Sequence, residues 1–166
     1  MAKYKQGKYL VKKPEKYTGD PTQVFYRSSW EKKIMTWLDN NKTITKWGAE
    51  CMRIPYQMTH FDNGDTKVKE HCYYPDFYYE MRNSEGVLKQ VVVEVKPFKE
   101  YKMVQDLNEG NLVVPENGMK KLKNFEYDLK MAYKNKNKWE TMINWCNMKG
   151  YEFIIITEQH LKKFNL

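Results

Sequence analysis

The run Val91-Val92-Val93-Glu94-Val95-Lys96 constrains this chain more than any other segment. So dense a set of β-branched residues favours a pleated, packed strand over a helix. Alternate side chains on a strand leave the same face, so Glu94 and Lys96 emerge together. A partner strand is predicted over residues 73–81, with Asn83-Ser84-Glu85-Gly86 between the two as the polar, glycine-containing turn of a hairpin. A turn centred on Ser84-Glu85 sets Asp76 opposite Glu94 or within one residue of it, with Cβ atoms about 4.5–5.5 Å apart. Two carboxylates at that separation repel by roughly 3 kcal/mol at an effective dielectric near 20. A bound cation, a raised pKa or the nearby Lys96 must offset this. A divalent metal held by Asp76 and Glu94 does so most economically, because hard cations take carboxylate oxygens. Glu80 has the parity of Asp76 but lies roughly 13 Å along the strand, too far to share one ion. The competing reading is a surface hairpin with a cross-strand Glu–Lys pair.

The rest of the chain supplies a frame for that hairpin. A helix is expected to start near Ser28 and end around Asn40-Asn41, with Trp30, Ile34, Trp37 and Leu38 as its apolar stripe. Ser28 and Glu31 have the spacing of a capping box. On a helical wheel, however, Glu31 falls between Leu38 and Met35, inside the apolar arc, so it is either a cap acid or an acid aimed inward. Residues 47–56 read as extended, with Pro55 near the end. Residues 98–118 lack clear periodicity and are predicted to form a long surface loop, a length that is uncommon without a functional reason. Met119, Leu122, Phe125, Leu129 and Tyr133 mark one helix. Trp139, Met142, Ile143 and Cys146 mark another, with Lys149-Gly150 as its stop signal. Phe153-Ile154-Ile155-Ile156 is a short strand, and a brief helix is expected after Thr157. Residues 1–24 read as a loosely held basic arm, with a turn at Gly19-Asp20-Pro21, and residues 25–166 as one domain.

A length of 166 residues suits a single core. The net charge of +8 is concentrated: residues 1–16 and residues 118–138 each carry +5, and the remainder is slightly negative. Clustered lysines beside 13 tyrosines, seven phenylalanines and five tryptophans fit a polyanionic partner, although a solvated tail and helix face would look the same. Arg27 and the lysines of residues 118–138, foremost Lys120, Lys121, Lys123 and Lys130, are the candidate phosphate contacts. No apolar run reaches the roughly 18–20 residues of a membrane span, so no membrane partner is expected. Cys51, Cys72 and Cys146 show neither zinc spacing nor a disulfide framework, and read as reduced, buried thiols of a cytoplasmic protein. His60, His71 and His160 form no ligand spacing. The tryptophans are expected in the core.

Tyr74-Pro75-Asp76 followed by Val93-Glu94-Val95-Lys96 resembles the Pro-Asp…Glu-X-Lys signature of the PD-(D/E)XK nucleases. Tyr26-Arg27-Ser28-Ser29-Trp30-Glu31, Trp47-Gly48-Ala49-Glu50, Ile54-Pro55-Tyr56, Tyr74-Pro75-Asp76-Phe77 and Glu94-Val95-Lys96-Pro97 also occur in order. Together they resemble the head completion nucleases of T-even-like tailed phages, weakly continued through Lys138-Trp139 and Ile156-Thr157-Glu158. The segment after Pro97 departs from that pattern, being more acidic and longer. The resemblance implies an α/β domain of restriction-endonuclease-like architecture, a mixed sheet flanked by helices on both faces. It implies Mg²⁺-assisted hydrolysis of DNA, with Mn²⁺ substituting. Asp76 and Glu94 would bind metal, Lys96 would aid attack, and Glu31 would complete the site as a third acid at the metal. The implied partners are DNA and phage head or neck proteins, met in the host cytoplasm during assembly or in the virion. Two other readings stand beside this one: a transposon-end, repair or restriction nuclease on the same fold, and a non-catalytic DNA-binding or neck protein.

Overall fold

The computed structural model describes residues 5–62 and 65–163. The chain runs through β1 (Gly7–Lys8), a 3-10 turn at Pro14–Lys16, β2 (Phe25–Tyr26), α1 (Ser29–Asn40), β3 (Ile44–Ala49), β4 (Ile54–Asp62) and β5 (Asp65–Tyr73). It continues through β6 (Phe77–Arg82), β7 (Leu88–Val95), α2 (Phe98–Glu109), α3 (Met119–Lys149), β8 (Glu152–Ile156) and α4 (Glu158–Lys163).

The valine run becomes an inner strand. The main sheet has the order β3-β6-β7-β8. β7 pairs antiparallel with β6, Phe77 opposite Val93, and parallel with β8, Val93 opposite Ile154. A parallel neighbour needs a crossover, and α2 with α3 supplies it. Both faces of β7 are therefore covered. Val91, Val93 and Val95 pack with Ile34, Met35, Leu38, Trp47 and Phe77 on the α1 side. Val92 packs with Ile54, Tyr56, Tyr73, Met142 and Cys146 beneath α3. This is the mixed sheet with helices on both faces that the sequence predicts. Of the expected core tryptophans, Trp139 is buried, while Trp30, Trp37 and Trp145 are half-buried against the core.

Four expectations need correction. The strand predicted over 73–81 is two strands. β5 ends at Tyr73 in a separate ribbon with β4, and β6 begins at Phe77 in the main sheet. Pro75, which has no N–H to give a ladder, sits in the gap where the chain changes sheets. The loop predicted over 98–118 is a helix for most of its length. Pro97 precedes it and Gly110, at φ 73°, follows it, the usual punctuation of a helix. Tyr101, Val104 and Leu107, three residues apart, pack against Ala132 and Trp139 of α3. The two helices predicted after residue 118 are one helix of 31 residues. Nothing between Tyr133 and Trp139 can stop it, since the segment holds neither proline nor glycine.

The fourth correction concerns the N-terminal segment, whose first four residues lie outside those described. From Gly7 it is not loosely held: β1 pairs with β2, and Tyr9, Val11 and Val24 are buried in the main core. The tie is Asp39 in the last turn of α1, fully buried. Its carboxylate accepts from the Lys12 N–H at 2.7 Å, the Lys13 N–H at 3.1 Å and the Tyr9 hydroxyl at 3.2 Å. The three cysteines are free as expected, but only Cys146 is buried; Cys51 is exposed.

Candidate active site

The change of sheets at Tyr74-Pro75-Asp76 places Asp76 one residue before the first β6–β7 pair, Phe77 opposite Val93. The predicted juxtaposition of Asp76 with Glu94 follows from that register. Asp76 Oδ2 accepts from the Val95 N–H at 2.6 Å, which fixes the carboxylate against the end of β7. From the other side, the Glu50 N–H donates to the Asp76 carbonyl at 3.0 Å. Glu50 does this from a left-handed conformation, φ 46°, uncommon for a residue with a side chain.

Glu94 is buried. Lys96 Nζ lies 3.0 Å from Glu94 Oε1, and the Tyr73 hydroxyl donates to Glu94 Oε2 at 2.6 Å. Burial, and next the Glu94 carboxylate, push the Asp76 pKa up to about 8 against the opposing pull of the Val95 N–H and Lys96; Glu31 adds to the rise. Burial alone would lower the Lys96 pKa, but Glu94 and Asp76 outweigh it and hold the ammonium above the ordinary lysine value. Burial and Glu94 push the Tyr73 phenol far up, so it remains a hydrogen-bond donor. The site thus consists of two crowded acids, one cation and one phenol, with an Asp76 charge that the protein alone does not fully compensate.

Glu31 is not gathered with this pair. Its Oε1 accepts from the Ser28 hydroxyl at 2.9 Å and its Oε2 from the Arg27 N–H at 2.8 Å, while the Glu31 N–H donates to Ser28 Oγ at 3.1 Å. This is the capping arrangement that the Ser28–Glu31 spacing signals. Accordingly, among the described residues no three His, Cys, Asp or Glu side chains are gathered so as to hold a metal ion. A pair is nonetheless a suitable donor set for Mg²⁺, which usually takes one or two carboxylates and fills its remaining positions with water and substrate phosphate.

The candidate phosphate contacts are dispersed. Arg27 pairs with Glu50 at 2.8 Å on the surface, while Lys120, Lys121, Lys123 and Lys130 are exposed along the first half of α3. Two residues stand at the site itself that the sequence reading did not place there: Tyr73, given no role, and Lys138, taken only as one of the lysines of 118–138. Tyr73 was hidden because the strand break at Pro75 spoils any parity count from Asp76. Lys138 is half-buried, with Nζ 5.1 Å from the centre of the Tyr73 ring. Its signal was available: it lies four residues before Met142 in α3, at the margin of the buried stripe, where a lysine is out of place.

The sequence model described as TnsA-like endonuclease N terminal, a family of PD-(D/E)XK-type nucleases, matches residues 41–158. The chain belongs to this family of restriction-endonuclease-like nucleases. It is also similar to the Head completion nuclease of Enterobacteria phage T4, 32% identical over 156 residues that span 94% of this chain and 93% of the relative. No solved structure matches the chain. Among the described residues no helix is long and apolar enough to cross a membrane.

Proposed function

We propose that this protein is a metal-dependent deoxyribonuclease that hydrolyses phosphodiester bonds of packaged DNA during phage head completion, before head and tail join. The observation that carries the reading is the crowding of Asp76, Glu94 and Lys96 at the end of β7, with the Asp76 carboxylate fixed on the Val95 N–H, Lys96 3.0 Å from buried Glu94, and burial and Glu94 raising the Asp76 pKa. A protein with no use for a cation has no reason to hold two acids this way at the turning point between two sheets. The extent of the phage relative favours head completion over a transposon-end, repair or restriction role: the family match stops at the nuclease core, whereas the relative aligns along nearly the whole chain. Head or neck proteins are the corresponding partners, in the host cytoplasm during assembly. A purely structural neck or DNA-binding protein is disfavoured by the intact set of Asp76, Glu94 and Lys96.

Asp76 and Glu94 would hold Mg²⁺, with Mn²⁺ able to substitute. Bound there, the ion would supply a water of lowered pKa and polarisation of the scissile phosphate. Lys96 stays protonated between the two acids, so it is no general base. Its ammonium orients the attacking water and stabilises negative charge as it develops on the phosphoryl oxygens. Tyr73 locks the rotamer of Glu94 through the 2.6 Å bond. Water adds across the P–O bond, leaving a phosphomonoester and a free hydroxyl. The direct test is nicking of supercoiled plasmid: strand breaks in Mg²⁺ or Mn²⁺, none in EDTA, and recovery when the metal is restored. Cleavage that is undiminished in EDTA would refute the metal site.

Glu31 is proposed as a supporting acid whose charge reaches Asp76 from its cap. Glutamine at this position can still serve the cap. Glu31→Gln is therefore expected to keep its thermal midpoint and to lose most nicking activity. Normal turnover in that variant would leave Glu31 with the cap alone.

A further inference from the structure

The nuclease site contains a cation that its own residues do not use. Lys138 reaches inward from α3 to the face of Tyr73, the residue that holds Glu94. Among the described residues it has no ion pair. A half-buried ammonium gains something from an aromatic face, but a buried charge without an ion-pair partner costs more than that. Burial lowers the Lys138 pKa, and the neighbouring Lys96 and Lys134 lower it further, against the pull of Glu94 and Asp76.

Lys138 is also the inner end of a row. At about 3.6 residues per turn, Lys123, Lys130, Lys134 and Lys138 fall within roughly 80° of one another and span about 22 Å of α3. Among the described residues none of the four makes an ion pair. Lys136, by contrast, faces away and is engaged by Asn108 at 2.7 Å and by Glu140 at 3.5 Å. Burial increases along the row, from exposed Lys123 and Lys130 to half-buried Lys134 and Lys138. Beside the row, α3 and β4 enclose a cleft of about 730 Å³ in which Lys130 and Asn137 stand with Met58, Thr59, Leu129 and Tyr133, and with one acid, Glu126, at the end far from the site. Asn137, the last residue of α3 in that lining, immediately precedes Lys138.

We propose that Lys138 contacts a DNA phosphate at this site, and that Lys123, Lys130 and Lys134 form the track along which one strand backbone is led to it. The inference rests on the nuclease reading above and names which lysines carry it. An arriving phosphate supplies the missing anion and places the scissile bond within reach of Asp76, Glu94 and Lys96. Because the track meets backbone only, it confers affinity and register without base preference.

The test uses the full chain with Lys138→Met, an apolar side chain of similar length, and Lys138→Arg, which keeps the charge. Binding of a labelled DNA duplex is measured in Ca²⁺ across a salt series, and turnover in Mg²⁺ at saturating duplex. Lys138→Met should lower kcat about a hundredfold, as loss of one transition-state contact does. It should also reduce the slope of log affinity against log salt by about one. Its thermal midpoint should hold or rise, since an unpaired buried charge is removed. Lys138→Arg should keep the wild-type slope. A Lys138→Met protein with wild-type slope and kcat overturns the assignment, as does one whose only change is a lower melting point with wild-type kcat per folded molecule. If the wild-type protein neither binds nor cuts the duplex, the nuclease reading itself fails, an outcome distinct from these.

Discussion

Asp76→Asn and Glu94→Gln proteins are expected to nick plasmid DNA at least about a thousandfold more slowly than the wild type. In the metal-free protein, Asp76→Asn should at the same time become more stable. The sign follows from linkage. The Asp76 carboxyl ionises at its ordinary value of 3.8 in the unfolded chain but holds its proton to about pH 8 when folded. Between those limits the folded state binds more protons, so wild-type stability falls as pH rises through that window and levels off above it. Asparagine escapes the fall while still accepting from the Val95 N–H. The excess in melting temperature of Asp76→Asn over wild type should therefore grow from pH 4 to pH 8, by roughly 2–4 °C for each kcal/mol relieved. Adding Mg²⁺ should close the gap by stabilising only the wild type. Thermal melts at several pH values, with and without metal, check this beside the nicking assay. Full cleavage by both variants would sink the acidic-pair assignment.

Asp39→Ala is expected to destabilise the protein by about 3–5 kcal/mol, because two backbone N–H groups and a buried phenol lose their shared acceptor. For a chain of this size that is a fall of roughly 10 °C in melting temperature. The position makes the carboxylate informative. A negative charge in the last turn of a helix opposes the helix dipole, so its burial there has to be sustained by the three donors at 2.7, 3.1 and 3.2 Å. Exposed amides over residues 9–13 should also exchange faster in the variant. A melting point within about two degrees of wild type would show that the segment is held by Tyr9 and Val11 packing alone. The same geometry argues against truncating the basic segment as a probe of DNA binding, since the cut would remove core.

The legible part of the site was the part encoded by short-range rules. Period-two alternation put Glu94 and Lys96 on one face, and their side chains meet at 3.0 Å; the hairpin turn put Asp76 opposite Glu94 or within one residue of it, and the ladder ends one pair short, at Phe77 opposite Val93, with the Asp76 carboxylate on the Val95 N–H. Ser28 and Glu31 read as a cap from spacing alone, and the cap is there. The inward position of Glu31 on the wheel misled, because one turn from the helix start a side chain can curl back to the orphan amides instead of pointing into the core. α2 was missed although its signals were local, with Pro97 and Gly110 at the ends and Tyr101, Val104 and Leu107 between. Four charged residues among Lys99–Asp106, two of them joined as the pair Lys102–Asp106, diluted the apolar pattern.

What the sequence determined by itself was the register of the β6–β7 hairpin and the chemistry it presents, because strand parity and turn length act over a few residues and leave little choice. Only the tertiary structure decided how the chain turns from one sheet into another at Pro75. It alone brought Tyr73 from the ribbon to Glu94 and carried Lys138, 44 positions beyond Glu94, to the same place. Those contacts join elements distant in sequence, and their geometry follows from how α3 packs on Val92 and Tyr73 through Met142 and Cys146. No local periodicity encodes that packing. It exists only once both faces of β7 are covered, and the raised pKa of Asp76 is a consequence of that burial.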